Sequence, residues 1–156
     1  MMHLERRHRI VLAGPIDRVF SLFTPAGETL WVPGWNPEFL HPAHKETQEG
    51  MVFRTGHGNE LTLWSCVAWD PVKFHVRYVR VTPASRFGFV DVTCRASGSG
   101  QTEATVTYTF TALNDDGAAY LSGLTEDAFT EMIDDWQARI DEWLRENHPS
   151  PESGAR

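Results

Sequence analysis

Two hydrophobic periods divide this chain. Apolar and polar residues alternate through most of it, and towards the C-terminal end the apolar spacing lengthens to three and four. Alternation sends successive side chains to opposite faces of a strand, whereas the longer spacing lines them up along one stripe of a helix. The first alternating run covers 4–13, where Leu4, Arg6, His8, Ile10 and Leu12 share a face and the Ile10–Leu12 end is the expected core contact. Gly14-Pro15 breaks the strand, and proline suits the first turn of a helix, where its missing N–H costs nothing. Ile16, Val19, Phe20 and Phe23 then recur at helical spacing, and Thr24-Pro25 ends the short helix.

Residues 25–37 hold a compact element ending in W-V-P-G-W-N-P at 31–37. Its prolines and glycine exclude a long helix and predict one helical turn followed by an ordered loop. From 38 to 113 the period is close to two, which predicts a six-strand antiparallel run. Clear strands cover 51–57, 61–69, 74–82, 87–96 and 102–113, with turns at Asp70-Pro71, Pro83-Ala84-Ser85 and Ser97-Gly98. The last strand is the plainest: Ala104, Val106, Tyr108 and Phe110 face one way, and Glu103 with a ladder of threonines faces the other. Asn114-Asp115-Asp116-Gly117 caps a single long helix over 118–146, about 40 Å at 1.5 Å per residue. Its stripe includes Leu121, Leu124, Phe129, Met132, Ile133, Trp136, Ile140 and Leu144, with Gly123 placed to loosen its start.

A helix with so wide an apolar stripe must bury it against something large, and the sheet is the only large partner. The expected class is therefore α+β, a curved antiparallel sheet in the order β-α-α-β6-α wrapped around a C-terminal helix. One domain spans 1–146, and 147–156 is a flexible tail rich in proline, serine and glycine. Such a sheet and one helix leave space between them. The aromatic load, six Trp, nine Phe and three Tyr in 156 residues, implies a bulky core or a ring-lined cavity.

The net charge of −7 and the lack of a basic stripe argue against nucleic acid and against an anionic membrane surface. The one basic cluster, Arg6, Arg7 and Arg9, reads as an exposed strand face. Cys66 and Cys94 lie inside strand-like runs and read as buried thiols. No apolar run approaches the ~18 residues of a membrane span, and the N-terminus shows no signal-peptide core, so the expected location is the cytoplasm. A homodimer is compatible with the pattern, which does not specify oligomeric state.

The element order resembles the helix-grip superfamily called SRPBCC, which includes START lipid-transfer domains, birch-pollen-allergen-like proteins and polyketide cyclases. The resemblance covers about 4–144. It rests on P-I-D-R-V-F-S-L-F-T at 15–24, W-V-P-G-W-N-P at 31–37, Y-V-R-V-T-P at 78–83 and the Trp-containing terminal helix. These stretches look like a bacterial branch whose members mostly lack an assigned activity. The resemblance implies a cavity between sheet and helix, with the 31–37 loop near its mouth.

Candidate chemistry is sparse. His57 shares a strand face with Met51, Phe53 and Thr55, so it is either a neutral imidazole at the cavity or a turn histidine. His41 and His44 stand as H-P-A-H without a cysteine or the spacing of a zinc site, and no metal is expected. No nucleotide or cofactor fingerprint occurs. Strand 74–82 mixes apolar and polar residues on both faces. If the Tyr78 face looks inward, Arg80 is a buried cation needing a partner, and Asp91, in phase with Phe87 and Phe89 on the next strand, is the candidate.

Three functional readings follow. The first is a non-catalytic carrier or sensor of a small hydrophobic or aromatic ligand. Trp31 and Trp35 would stand at the mouth, Tyr108 and His57 would orient the ligand, Phe129, Met132 and Trp136 would form the wall, and Tyr78, Arg80 and Asp91 are further candidate ligand contacts. The second is a cyclase-, aromatase- or hydrolase-type enzyme with His57 as acid/base and Tyr108 or an Arg80–Asp91 pair placing the substrate. The third is a co-chaperone-like domain with a sealed interior and an exposed apolar patch.

Overall fold

The computed structural model describes residues 1–98 and 100–147. Four of the five clear alternating runs become long strands: β4 (Glu60–Asp70), β5 (His75–Thr82), β6 (Arg86–Ala96) and β7 (Thr102–Ala112) follow the shorter β3 (Val52–His57). With β1 (His3–Leu12) and the short β2 (Glu38–His41) they form one seven-stranded antiparallel sheet, ordered β1-β7-β6-β5-β4-β3-β2. β1 pairs along β7 from His3↔Thr111 to Leu12↔Thr102, so the first and second strands become opposite edges. A bulge between Cys66 and Ala68 adds a residue to β4, the kind of insertion that bends a strand.

One face of this sheet is the core. β7 contributes Ala104, Val106, Tyr108 and Phe110, all buried, as its alternation requires. Its other face carries the threonine ladder, partly exposed. Cys66 and Cys94 are free thiols on the buried face, and burial pushes Cys94 up to about 12.

The helices cover the concave side. α1 (Ile16–Phe20) runs into a 3-10 turn (Ser21–Phe23) and then the four-residue α2 (Pro25–Glu28). The long helix expected over 118–146 is two helices, α3 (Asp115–Ser122) and α4 (Glu126–Asn147). Gly123 ends the first, and the Thr125 hydroxyl caps the second by accepting the Ala128 N–H at 3.1 Å. The break has a use: the freed Leu124 carbonyl accepts a hydrogen bond from Arg6 Nε at 2.9 Å. Arg6 therefore lies on the inner face of β1 and not in an exposed basic strip. α4, about 33 Å long at 1.5 Å per residue, buries Phe129, Ile133, Ile140 and Leu144. The expected tail, 147–156, falls on residues outside those described except for Asn147, which closes α4.

The strand whose facing the sequence left ambiguous is now fixed, and so is its neighbour. Val76, Tyr78, Arg80 and Thr82 of β5 face the concave side, with His75, Arg77, Val79 and Val81 outside. On β6 the inner set is Arg86, Gly88, Val90, Val92 and Cys94, so Phe87, Phe89 and Asp91 face outward. The apolar rings at 87 and 89 suggested the opposite phase. Gly88 explains the reversal: a Cβ there would lie 2.3 Å from Phe110 Cδ1, because the neighbouring strand lays that ring over it.

Candidate functional site

A cavity of about 420 Å³ opens between the concave sheet, α2, α3 and α4. Small-molecule sites typically measure about 300–1,000 Å³. Aromatic rings form much of its wall: Phe23, Trp35, Phe53, Trp64, Tyr108 and Trp136 all line it. The rings brace one another. Phe53 stacks on Trp64 at 5.6 Å with planes 7° apart, and Trp35 and Tyr78 meet Trp64 edge-on at 5.6 and 6.3 Å. Tyr108 packs against Phe129 at 5.1 Å and Trp136 at 6.2 Å, joining β7 to α4. Such edge and offset pairs add about 0.5–1.5 kcal/mol each beyond the area they bury.

The mouth lies between the 31–37 loop and the β3–β4 hairpin. Pro33, Gly34 and Asn36 on one side and Gly56 and His57 on the other are exposed and line it. Trp35 is fixed there by its indole N–H, which donates to the Pro25 carbonyl at 2.8 Å.

Four charged side chains distinguish this cavity from a simple greasy pocket. Arg86 is 3% exposed and makes a two-pronged pair with Glu60, at 2.8 and 3.1 Å, beneath the Tyr120 ring at 3.5 Å. That pairing holds the Glu60 carboxyl below its ordinary value. Arg80 is different in its partners. Its guanidinium lies 4.6 Å from the Trp64 ring and 5.4 Å from Phe110, and its buried Nε–H, like that of Arg86, has no acceptor. None of the ion pairs among the described residues includes it.

The fourth is Glu28, brought to the wall by a tight local construction. Thr24 caps α2, accepting the Gly27 N–H at 2.9 Å, and Pro25 takes the first turn. Gly27 lets α2 press on the 3-10 turn, where a Cβ would lie 2.0 Å from the Ser21 carbonyl oxygen. Glu28 is half-buried and lines the cavity. Burial pushes its carboxyl up to about 8, with Arg80 opposing the rise, so the group is largely protonated at neutral pH. Tyr78 completes the frame: its hydroxyl donates to the Phe23 carbonyl at 2.8 Å, pinning the 3-10 turn to the sheet.

No family model matches this sequence, and no curated protein matches it. Solved structures do match. Norcoclaurine synthase from Thalictrum flavum, in complex with dopamine and hydroxybenzaldehyde, superposes with a TM-score of 0.66 at 10% identity, covering 96% of this chain and 90% of its own. The allergen Ara h 8.0201 gives 0.65 at 13% identity over 94% of this chain and all of its own. The Zhui aromatase/cyclase from Streptomyces sp. R1128 gives 0.56 at 17% identity, over 94% and 87%. The chain shares the helix-grip fold of these structures. At these identities the likeness concerns architecture, and chemistry must be argued from side chains.

Within the helix-grip frame, the anticipated residues separate clearly. Trp35, His57, Tyr78, Arg80, Tyr108 and Trp136 line the cavity. Trp31 does not: it is buried, donates to the Leu22 carbonyl at 2.8 Å and packs on Trp136 at 5.6 Å, a structural role. Phe129 and Met132 also stand off the cavity, Phe129 behind Tyr108 in the core and Met132 partly buried beside it. The Arg80–Asp91 pair does not form. Asp91 is on the outer face, accepting from His75 Nε2 at 2.8 Å and Arg77 at 3.4 Å. His57 sits at the exposed rim and not inside. Among the described residues no three His, Cys, Asp or Glu side chains converge as metal ligands, and no helix is long and apolar enough to cross a membrane.

The residues that were missed are instructive. Glu28 belongs to a single helical turn, too short for any period, though Thr24-Pro25 ahead of it is a legible cap. Trp64 and Thr62 face inward on β4 while Leu61, Leu63 and Val67 are exposed, the reverse of simple hydrophobic alternation. Arg86 begins a strand beside a turn, where arginine ordinarily faces water.

Proposed function

We propose that this protein binds a small aromatic or otherwise hydrophobic molecule in the helix-grip cavity, as a carrier or sensor. The observation behind this reading is the 420 Å³ space walled by mutually braced rings and open at one mouth. Interlocked rings hold a cavity open because collapsing it would break several stacking contacts at once. The charged groups inside are few, and two of them satisfy each other. A co-chaperone reading needs a sealed interior, so the open mouth favours a ligand.

Calorimetric titration with 2-naphthol, combined with native mass spectrometry of the purified protein, tests this proposal. Saturable one-to-one binding is expected, and Trp64→Ala should weaken it at least tenfold. The absence of both a bound small molecule and any binding of 2-naphthol up to its solubility would overturn it.

One observation supports an enzyme as a second reading. A carboxyl near 8 beside an aromatic cavity can take or give a proton at neutral pH, and Glu28 is that group. His57, on the rim, is less well placed for acid–base work on a bound ring.

A further inference from the structure

The cavity's charges do not balance. Arg86 and Glu60 neutralise each other through two hydrogen bonds. Arg80 has no such carboxylate partner among the described residues: rings lie against its planar group, and its Nε–H, like that of Arg86, is buried without an acceptor. Burial lowers its proton affinity, yet a guanidinium keeps its charge under all ordinary conditions. Around it stand Glu28 from α2, Glu60 from β4, Arg86 from β6, Tyr108 from β7 and Tyr120 from α3. Glu60 is committed to Arg86, burial keeps the Tyr108 phenol neutral, and Glu28 is mostly protonated. One positive charge is therefore left over, inside protein and facing the cavity.

We propose that the natural ligand is a ring-bearing acid whose single anionic group, a carboxylate or its equivalent, docks on Arg80. This rests on the reading that the cavity binds a small aromatic molecule, and it adds the ligand's charge. The guanidinium edge can offer two parallel N–H groups to a carboxylate, while Trp64 and Phe110 fix its plane. Gly88 is part of the same device, since only its missing side chain lets Phe110 lie where it supports Arg80. The protonated Glu28 carboxyl supplies a further donor for the anion. When Glu28 ionises, it becomes an internal substitute for the ligand's charge and competes with it.

The test compares 2-naphthoate with 2-naphthamide, which share shape and differ in charge, by calorimetric titration at pH 7. The acid is expected to bind at least tenfold more tightly than the amide. In Arg80→Met that preference should fall below threefold while the amide's own affinity is kept, and Arg80→Lys should retain part of it. Over pH 6–9, where naphthoate stays ionised, the preference should shrink through pH 8 as Glu28 loses its proton. Equal affinities of the two probes for the unaltered protein would overturn the proposal whether or not Arg80→Met folds. So would an acid preference that survives in a folded Arg80→Met. If both probes bind equally, the cavity still takes aromatic molecules and only the anion assignment fails. If neither probe nor 2-naphthol binds, both readings fail.

Discussion

Replacing Arg80 by methionine should make the empty protein more stable, contrary to the usual result of altering a buried residue. The side chain is desolvated, has no carboxylate in ion-pair range among the described residues and leaves Nε–H without an acceptor. Removing such a charge from water costs several kcal/mol even after relaxation. Against this stand two ring contacts, at 4.6 and 5.4 Å, each worth about 1–2 kcal/mol when desolvated. The ring contacts do not cover the whole cost, so the net penalty is about 2 kcal/mol. Methionine has similar reach, fills the space between Trp64 and Phe110, and makes favourable sulfur–ring contacts. For a domain of this size, about 2 kcal/mol corresponds to a rise of roughly 4–8 °C in Tm. Differential scanning calorimetry and urea unfolding of ligand-free protein give the measurement. Arg86→Met is the control: it breaks a two-pronged pair with Glu60, and a loss of about 1–3 kcal/mol is expected there. A comparable loss in Arg80→Met would refute the reasoning, because it would mean that Arg80 is already paid for within the fold.

Glu28 makes stability depend on pH in a definite direction. Its folded value, about 8, lies above its ordinary 4.5, so its stabilising contribution is complete below pH 4.5 and is lost as pH rises towards 8. At about 1.4 kcal/mol per pH unit, the unaltered protein should lose about 4 kcal/mol relative to Glu28→Gln between pH 5 and 8, measured by urea unfolding at a series of pH values. A constant difference between the two proteins would show that Glu28 is not buried as described. Gly88→Ala should cost about 1–3 kcal/mol, since the new Cβ would press on Phe110, and it should also weaken 2-naphthoate binding by shifting Arg80's support. An alanine variant with unchanged Tm would contradict that packing.

The scaffold was legible because its period is strong. Ile16, Val19, Phe20 and Phe23 announce a helix, and the Ala104–Phe110 set announces a half-buried strand, since burial on one face alone produces such patterns. The site was legible only where it uses those patterns. Tyr108 could be placed inside because its strand alternates cleanly. Arg80 could not, because a cavity wall needs polar groups on a buried face, and that erases the contrast by which faces are told apart. Phe87 and Phe89 misled for the complementary reason: a sheet whose outer face keeps exposed apolar residues imitates a core phase, and Gly88, the true inward position, has no side chain to reveal it. The break at Gly123 was readable as a weak point. Its extent was not, because the gain comes from Arg6, a partner 118 positions away.

The sheet order has a kinetic consequence. β3 to β7 join neighbour to neighbour through short turns, and a longer loop over 42–51 adds β2 at the edge, so these strands can zip together as the chain emerges. β1 pairs only with β7, and its partners lie 90 to 108 residues later. Closing so long a loop is entropically expensive and tends to slow folding. The nascent chain therefore holds its earliest strand in reserve until β7 has been made, and the sheet gains that edge late in assembly.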